Sequence, residues 1–405
     1  MKILKNMIII SVLASMLTAC DGNDARQTSV PYTESPVVSM TQQQTEPPRE
    51  PTVYDRYPKL SQYDIFSQYY ERAEEIVNSM TVEQKVGQMF WIRCPEDKEQ
   101  ALEYIQLYKP GGYVLFANHF ENETPYSVQT TLSEFQNNSD FKMALSCDEE
   151  GGDVVRISKY PQFRTTPFYS PQTLYQIGGL EEIVRDTNDK CEFLKNLGIN
   201  VNLAPVADVS TNANDYIYSR TYGKDAKQTG EYIEESVRAY RQAGVTCVLK
   251  HFPGYGSNSD THNSSSIDYR EYSQFAANDF IPFLEGIKAD APCIMVNHNT
   301  IADVDMNNPA SLSPQIHEIL RSSLGFTGLI ITDDLEMSAV NNNMNEVDAC
   351  LKAVEAGNDI LLTSQYTEAI PAVVKAAETG RLPEEHINTS AIRIIAWKLC
   401  YGIIE

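Results

Sequence analysis

The chain has 405 residues, a formal net charge of −23, 42% hydrophobic residues and eight cysteines. A surface this acidic repels nucleic acid and anionic lipid headgroups, which excludes partners recognised through negative charge. It favours solubility and leaves the choice of a neutral substrate open.

The first residues read as an export leader. Lys2 and Lys5 precede the apolar run Met7–Leu17, which is too short to span a bilayer as a folded helix. Leu17-Thr18-Ala19-Cys20 resembles the bacterial lipobox, so residues 1–19 are expected to be a lipoprotein signal peptide and Cys20 the lipid-bearing residue. Loss of Lys2 and Lys5 would take the net charge from −23 to −25. A diacyl anchor at Cys20 buries enough methylene groups to hold a domain on a membrane. The expected location is therefore outside the cytoplasm, lipid-anchored to the bacterial cell membrane. Residues 20–63 are rich in Ser, Thr, Gln, Pro and Glu and poor in aliphatics, a composition that cannot offset ordering entropy. They are predicted to be a disordered tether, with the folded domain in residues 64–405.

In that domain, β-branched apolar runs alternate with helical patterns. The predicted strands are Met89–Cys94, Gly112–Asn118, Lys142–Asp148, Val201–Val206, Val245–Phe252, Cys293–His298, Gly328–Asp334 and Asp359–Ser364. Their cores are continuously apolar, as in parallel strands covered on both faces. Thr81-Val82-Glu83-Gln84 is a capping-box pattern before the first strand. Helical stretches over Glu181–Leu197, Gly230–Ala243 and Val347–Ala356 each stop at a glycine, Gly198, Gly244 and Gly357. Eight such units predict an α/β fold, a single (β/α)8 TIM-type barrel. The alternative is an open doubly wound sheet, against which stands the lack of a glycine-rich phosphate loop after the first strand.

Polar residues gather where the strands end. Asp148 ends the third strand, Asp208 follows the fourth, Lys250-His251 ends the fifth, His298 ends the sixth, and Asp333-Asp334 ends the seventh. In a barrel these ends converge on the face where active sites are built. Asp334 is assigned to capping the next helix, which leaves Asp333 to point into the barrel mouth. There a carboxylate could stabilise or attack an oxocarbenium-like centre. In the Gly/Ser/Asn-rich loop after the fifth strand, Asp260 and His262 are spaced to place carboxylate and imidazole in contact, an acid/base dyad. Cys147, Cys247 and Cys293 lie in apolar runs and read as small buried hydrophobes. No cysteine shows metal-ligand spacing, and neither a metal nor another cofactor is expected.

Lys250-His251-Phe252-Pro253-Gly254-Tyr255-Gly256, then Asp260-Thr261-His262, then Thr332-Asp333-Asp334-Leu335-Glu336-Met337 resemble glycoside hydrolase family 3, in its β-N-acetylhexosaminidase branch. The resemblance runs from about Met80 to the end of the sequence. It includes Asp148-Glu149-Glu150-Gly151-Gly152, Asn202-Leu203-Ala204-Pro205-Val206-Ala207-Asp208 and Pro309-Ala310-Ser311-Leu312-Ser313. It implies that Asp333 is the nucleophile and His262 the general acid/base, oriented by Asp260. Asp148, Arg156, Arg220, Lys250 and His251 would hold sugar hydroxyls. His298 and Met337 are expected to be wall residues. Tyr255 stands where the family usually has a second histidine, and the stretch from Lys250 to His262 is one residue shorter than usual. Larger relatives append a sandwich domain that can supply a carboxylic acid; no such segment follows in this sequence, which leaves His262 as the expected proton donor.

The expected reaction is release of terminal β-linked N-acetylglucosamine from an oligosaccharide, through a glycosyl-aspartate. Two alternatives stay open. A phosphorylase of the same family would use phosphate in place of water, and a sugar-binding lipoprotein would capture without turnover. A metal-dependent barrel hydrolase is disfavoured by six histidines with no His-x-His at the first strand end. The natural polymer, a peptidoglycan fragment or a chitin oligosaccharide, and the oligomeric state are not legible in the sequence.

Overall fold

A computed structural model describes residues 51–258, 266–337, 340 and 344–405. Its centre is a ring of eight parallel strands, numbered here β1 to β8. They are Phe90–Arg93, Gly112–Leu115, Ala144–Cys147, Val201–Asn202, Thr246–Phe252, Cys293–Val296, Leu329–Thr332 and Leu361–Thr363. Each strand pairs with its neighbour in the sequence, and β1 pairs with β8. The Ile331–Ile360 bridge and the bond from the Thr332 amide to the Ile360 carbonyl join β7 to the entry of β8. The fold is the (β/α)8 barrel that the strand pattern predicts, and the open-sheet alternative falls.

All eight strands occur where predicted, but shorter. The predicted runs include the residues that leave the ladder to build the mouth: Asp148 lies one residue past β3 and Asp333 one past β7. The helices start and stop as their caps dictate. Thr81 and Gln84 exchange both bonds of the capping box. Asp225 accepts the Gln228 amide to open Ala226–Ala243, whose buried Ile233, Val237 and Tyr240 share one face. Gly198, Gly244 and Gly357 all take the left-handed conformation at the helix ends. The helix expected over Glu181–Leu197 is preceded by another helical stretch from Pro171, broken at Gly178-Gly179. Gly178-Gly179 kinks the helix at that point.

The boundary expected at residue 64 is corrected. Val53–Arg56 is a short helix, and Val53 and Leu60 are buried. The Val53 amide donates to Glu71 at 3.0 Å, and Arg56 pairs with Glu74, both on the helix Tyr70–Asn78. A few well-spaced apolar residues dock this stretch although its average composition is that of a tether. Cys20 and residues 1–50 lie outside the described residues.

The N-terminal end of the barrel is closed by the helix Glu384–Cys400. Trp397 donates from its indole to Thr246 at the start of β5 and packs its ring 5.5 Å from that of Trp91. Beside it the fully buried Lys398 ammonium donates to Gln88 and to the carbonyls of Gly111 and Lys142. Asp359, at the entry to β8, accepts Arg393 and Ser390 on one oxygen, and Arg321 and the Ile330 amide on the other. Cys147, Cys247 and Cys293 are buried and free, as their apolar surroundings suggest. Among the described residues no helix is long and apolar enough to cross a membrane.

Candidate active site

At the opposite, C-terminal end of the strands a cavity of about 260 Å³ opens. Trp91, Val114, Leu203, Met295 and Leu362 line its apolar part, with Phe116 and Tyr216 among the residues around it. Trp91 therefore faces the cavity and also touches Trp397.

The polar wall starts with the turn after β3. Successive side chains there alternate, so Asp148 and Glu150 line the cavity while Glu149 turns away. Glu149 accepts the backbone N–H groups of Arg156, Ile157 and Ser158 at 2.9, 2.9 and 3.2 Å. That folds the chain back until Arg156 Nη2 lies 3.2 Å from Asp148 Oδ2. From β5, Lys250 Nζ reaches Asp148 Oδ1 at 2.8 Å and Glu150 Oε1 at 2.6 Å. From the loop after β4, Arg220 grips Glu150 with Nε at 3.0 Å and Nη2 at 2.8 Å, a two-pronged contact that fixes its plane.

Two carboxylates thus share three cations. Burial alone would raise the Asp148 pKa, but Lys250 and Arg156 outweigh it and hold the group well below the usual carboxylate range. Burial likewise opposes ionisation of Glu150, and Arg220 and Lys250 reverse it. Lys250 is held above its ordinary value because Asp148 and Glu150 overcome the cost of burying it. Asp148 spends one contact on Arg156 and one on Lys250, so lone pairs remain to accept hydroxyl protons from a ligand.

His251 is oriented from behind. Its Nδ1 lies 2.7 Å from Asp208 Oδ2, which also accepts the His251 amide, and Nε2 lies 3.3 Å from Arg220 Nη2. With Nδ1–H donating to Asp208, Nε2 keeps a lone pair toward Arg220. The Tyr255 ring stands edge-on to the imidazole, 5.1 Å between centroids.

Asp333 and Asp334 both line the cavity. The Asp333 amide donates to Val296 on β6, and Asp333 Oδ1 accepts the Asp334 amide at 2.9 Å. Asp334 caps a turn rather than the helix assigned to it, because its Oδ1 accepts the Glu336 amide within the turn that follows β7. Burial, with the charge of Asp333 adding to it, pushes Asp334 up to about 6. His298 contacts Ser311 and the Asp334 carbonyl, and Met337 is buried, but neither is among the residues that line the cavity, so they are not its wall as expected.

The structure therefore brings Asp148, Arg156, Arg220, Lys250, His251 and Asp333 to one cavity. Asp260 and His262 lie outside the described residues. Sequence reasoning did not assign site roles to Glu150 and Asp208. For Glu150 the signal was available: residues two apart beyond a strand face the same way, and Asp148 was already chosen. Among the described residues no cluster of His, Cys, Asp and Glu is arranged to hold a metal ion.

The model of the glycosyl hydrolase family 3 N-terminal domain matches residues 81–397, most of the barrel. The chain belongs to glycosyl hydrolase family 3. It is 30% identical over 324 residues to beta-hexosaminidase A of Pseudoalteromonas piscicida, covering 73% of this chain and 54% of that protein. The chain thus spans about half the length of that relative. It is also 30% identical over 267 residues to beta-hexosaminidase LpqI of Mycobacterium tuberculosis, covering 63% of this chain and 68% of the other. A family 3 β-N-acetylglucosaminidase from Paenibacillus sp. FPU-7 superposes with a TM-score of 0.74 at 28% identity, over 80% of this chain and 63% of that one.

Proposed function

We propose that this family 3 chain is a retaining, exo-acting β-N-acetylhexosaminidase that releases terminal β-linked N-acetylglucosamine from an oligosaccharide. The observation that carries the reading is the cavity itself. It is lined by Trp91, which packs against Trp397, and by paired ions that can grip hydroxyl groups, and it has the Asp333 carboxylate at its wall. A cavity of about 260 Å³ suits one terminal sugar ring.

In this reading an Asp333 oxygen attacks the anomeric carbon as the bond to the leaving oxygen breaks, and His262 gives that oxygen its proton. The product is a glycosyl ester on Asp333. Water then attacks the same carbon, loses its proton to His262, and returns the carboxylate. Asp260 holds the imidazole in the tautomer that alternates between acid and base. Asp148, Arg156, Arg220, Lys250 and His251 bind the sugar hydroxyls, and apolar wall residues meet the C–H face of the ring. Lipidation at Cys20 and residence outside the cytoplasm on the cell membrane complete the proposal.

The test is a panel of aryl β-glycosides given to the purified full-length protein. Preferred release from the N-acetylglucosaminide, lost in Asp333→Ala, supports it; binding of that glycoside without release makes the protein a sugar receptor. Product analysis with and without phosphate separates hydrolysis from phosphorolysis, since dominant sugar 1-phosphate would make the enzyme a phosphorylase.

A further inference from the structure

Four side chains outside the cavity tie together the two chain segments that flank residues 259–265. Asn258 Nδ2 donates to Asp268 Oδ2 at 2.6 Å, across ten residues of sequence. Asp268 is 3% exposed and also accepts the Arg270 amide and three contacts from the Arg270 guanidinium, between 2.8 and 3.1 Å. The same guanidinium continues to Asp279, 1% exposed, with Nη1 at 2.8 Å from Oδ2, and lies 4.1 Å from the Phe275 ring centre.

The outgoing segment is shaped to lie on this cluster. Gly254 and Gly256 have φ of +118° and +56°. A Cβ on Gly254 would come 2.5 Å from Asp279 Oδ1, and one on Gly256 would come 2.5 Å from Arg270 Nη2. Only residues without a side chain let the backbone approach the ion pairs this closely. Between the two glycines, the Tyr255 amide donates to Asp208 Oδ1 at 2.8 Å, and Asp208 also holds His251. The returning segment is anchored as well: Ile267–Asp268 pairs in parallel with Thr300–Ile301 after β6.

Surface exposure does not explain this arrangement. Two nearly fully buried carboxylates sharing one arginine are costly to assemble, and a connection with no task beyond joining β5 to the next helix does not need them. We infer that the Asn258–Asp268–Arg270–Asp279 cluster is a positioning clamp, which fixes the separation of residues 258 and 268 and thereby sets where the acid/base histidine between them is delivered. The inference rests on the reading of His262 given above. None of the four touches the sugar. They act through the segment they pin, and an error of about 1 Å in placing a catalytic group costs up to roughly a hundredfold in rate.

The test uses the full-length protein and two β-N-acetylglucosaminides. A 2,4-dinitrophenyl leaving group departs without a proton, whereas a 4-methoxyphenyl group needs one. In Asp268→Asn, kcat/KM for the methoxyphenyl glycoside should fall about tenfold to a hundredfold and that for the dinitrophenyl glycoside less than about twofold. Arg270→Lys keeps the charge but not the fork, and should give the same asymmetry should Asp268→Asn fail to fold. His262→Gly is the reference, and combining it with a clamp variant should add nothing further on the methoxyphenyl substrate. Equal losses on both substrates, or no loss on either, would overturn the clamp. If His262→Gly itself shows no dependence on the leaving group, the reading of His262 falls instead, so the two failures are distinguishable.

Discussion

Both ends of the barrel bury carboxylates against arginines, and they use them to opposite ends. At the closed end Asp359 takes Arg321 and Arg393, a serine hydroxyl and a backbone amide, while Arg321 goes on to the carbonyls of Phe326 and Gly328. That carboxylate has its acceptor sites filled by protein. At the open end Asp148 is likewise held ionised, by Lys250 and Arg156, yet one side of it faces a cavity. Saturation marks a cluster that holds the fold together; deliberate incompleteness marks one that waits for a ligand.

Four substitutions can break or sharpen that contrast. The largest effect belongs to Asp333→Asn, which should lower kcat/KM on an aryl N-acetylglucosaminide by roughly 10⁴-fold while leaving the melting temperature near wild type. Loss of stability in place of turnover would mean that the open end is structural too. At the closed end Asp359→Ala leaves two arginines buried without their shared partner. Urea denaturation should show a loss of about 3–5 kcal/mol, with kcat/KM of the folded fraction unchanged.

Lys250→Met comes next and probes how the open end keeps its charge. Without the ammonium, burial is no longer outweighed as strongly, so the Asp148 and Glu150 carboxyls take up protons at higher pH than in wild type. Activity should drop about a hundredfold, and the acid limb of the pH–kcat/KM profile should move upward. An unmoved limb would show that Lys250 does not keep these carboxylates ionised.

The smallest effect concerns Asp334. Its folded-state pKa of about 6 is above that of an unfolded aspartate, near 4, so the folded state holds the proton more tightly. Wild-type stability should therefore fall relative to Asp334→Asn as pH rises from about 4 to about 6, and the gap should stay level above that. Melting curves across this range should show a difference of about 1–2 kcal/mol at neutral pH. A gap independent of pH would show that the folded state does not hold the Asp334 proton more tightly.

The barrel was legible because a strand buried on both faces must be apolar without interruption, as Tyr113-Val114-Leu115 and Leu329-Ile330-Ile331 are. The strand-end rule then led to Asp148, Lys250, His251 and Asp333. Arg156 and Arg220 came from the family resemblance, since nothing in their spacing shows that Glu149 folds one back to Asp148 or that Glu150 grips the other. Composition alone does not separate Glu150 from Glu149, which binds backbone amides; only its place two residues after Asp148 does. Residues 51–63 were misjudged for a related reason. Val53 and Leu60 are few among prolines and acids, and only the face of Tyr70–Asn78 makes them a docking site.

The contact between Trp91 and Trp397 has a consequence for how the protein matures. The cavity is lined by a ring from the first strand, and that ring leans on one supplied some three hundred residues later. A nascent chain could lay down every strand and still lack the ring behind Trp91. The floor behind that cavity is therefore completed late in synthesis, when the helix bearing Trp397 arrives to support Trp91.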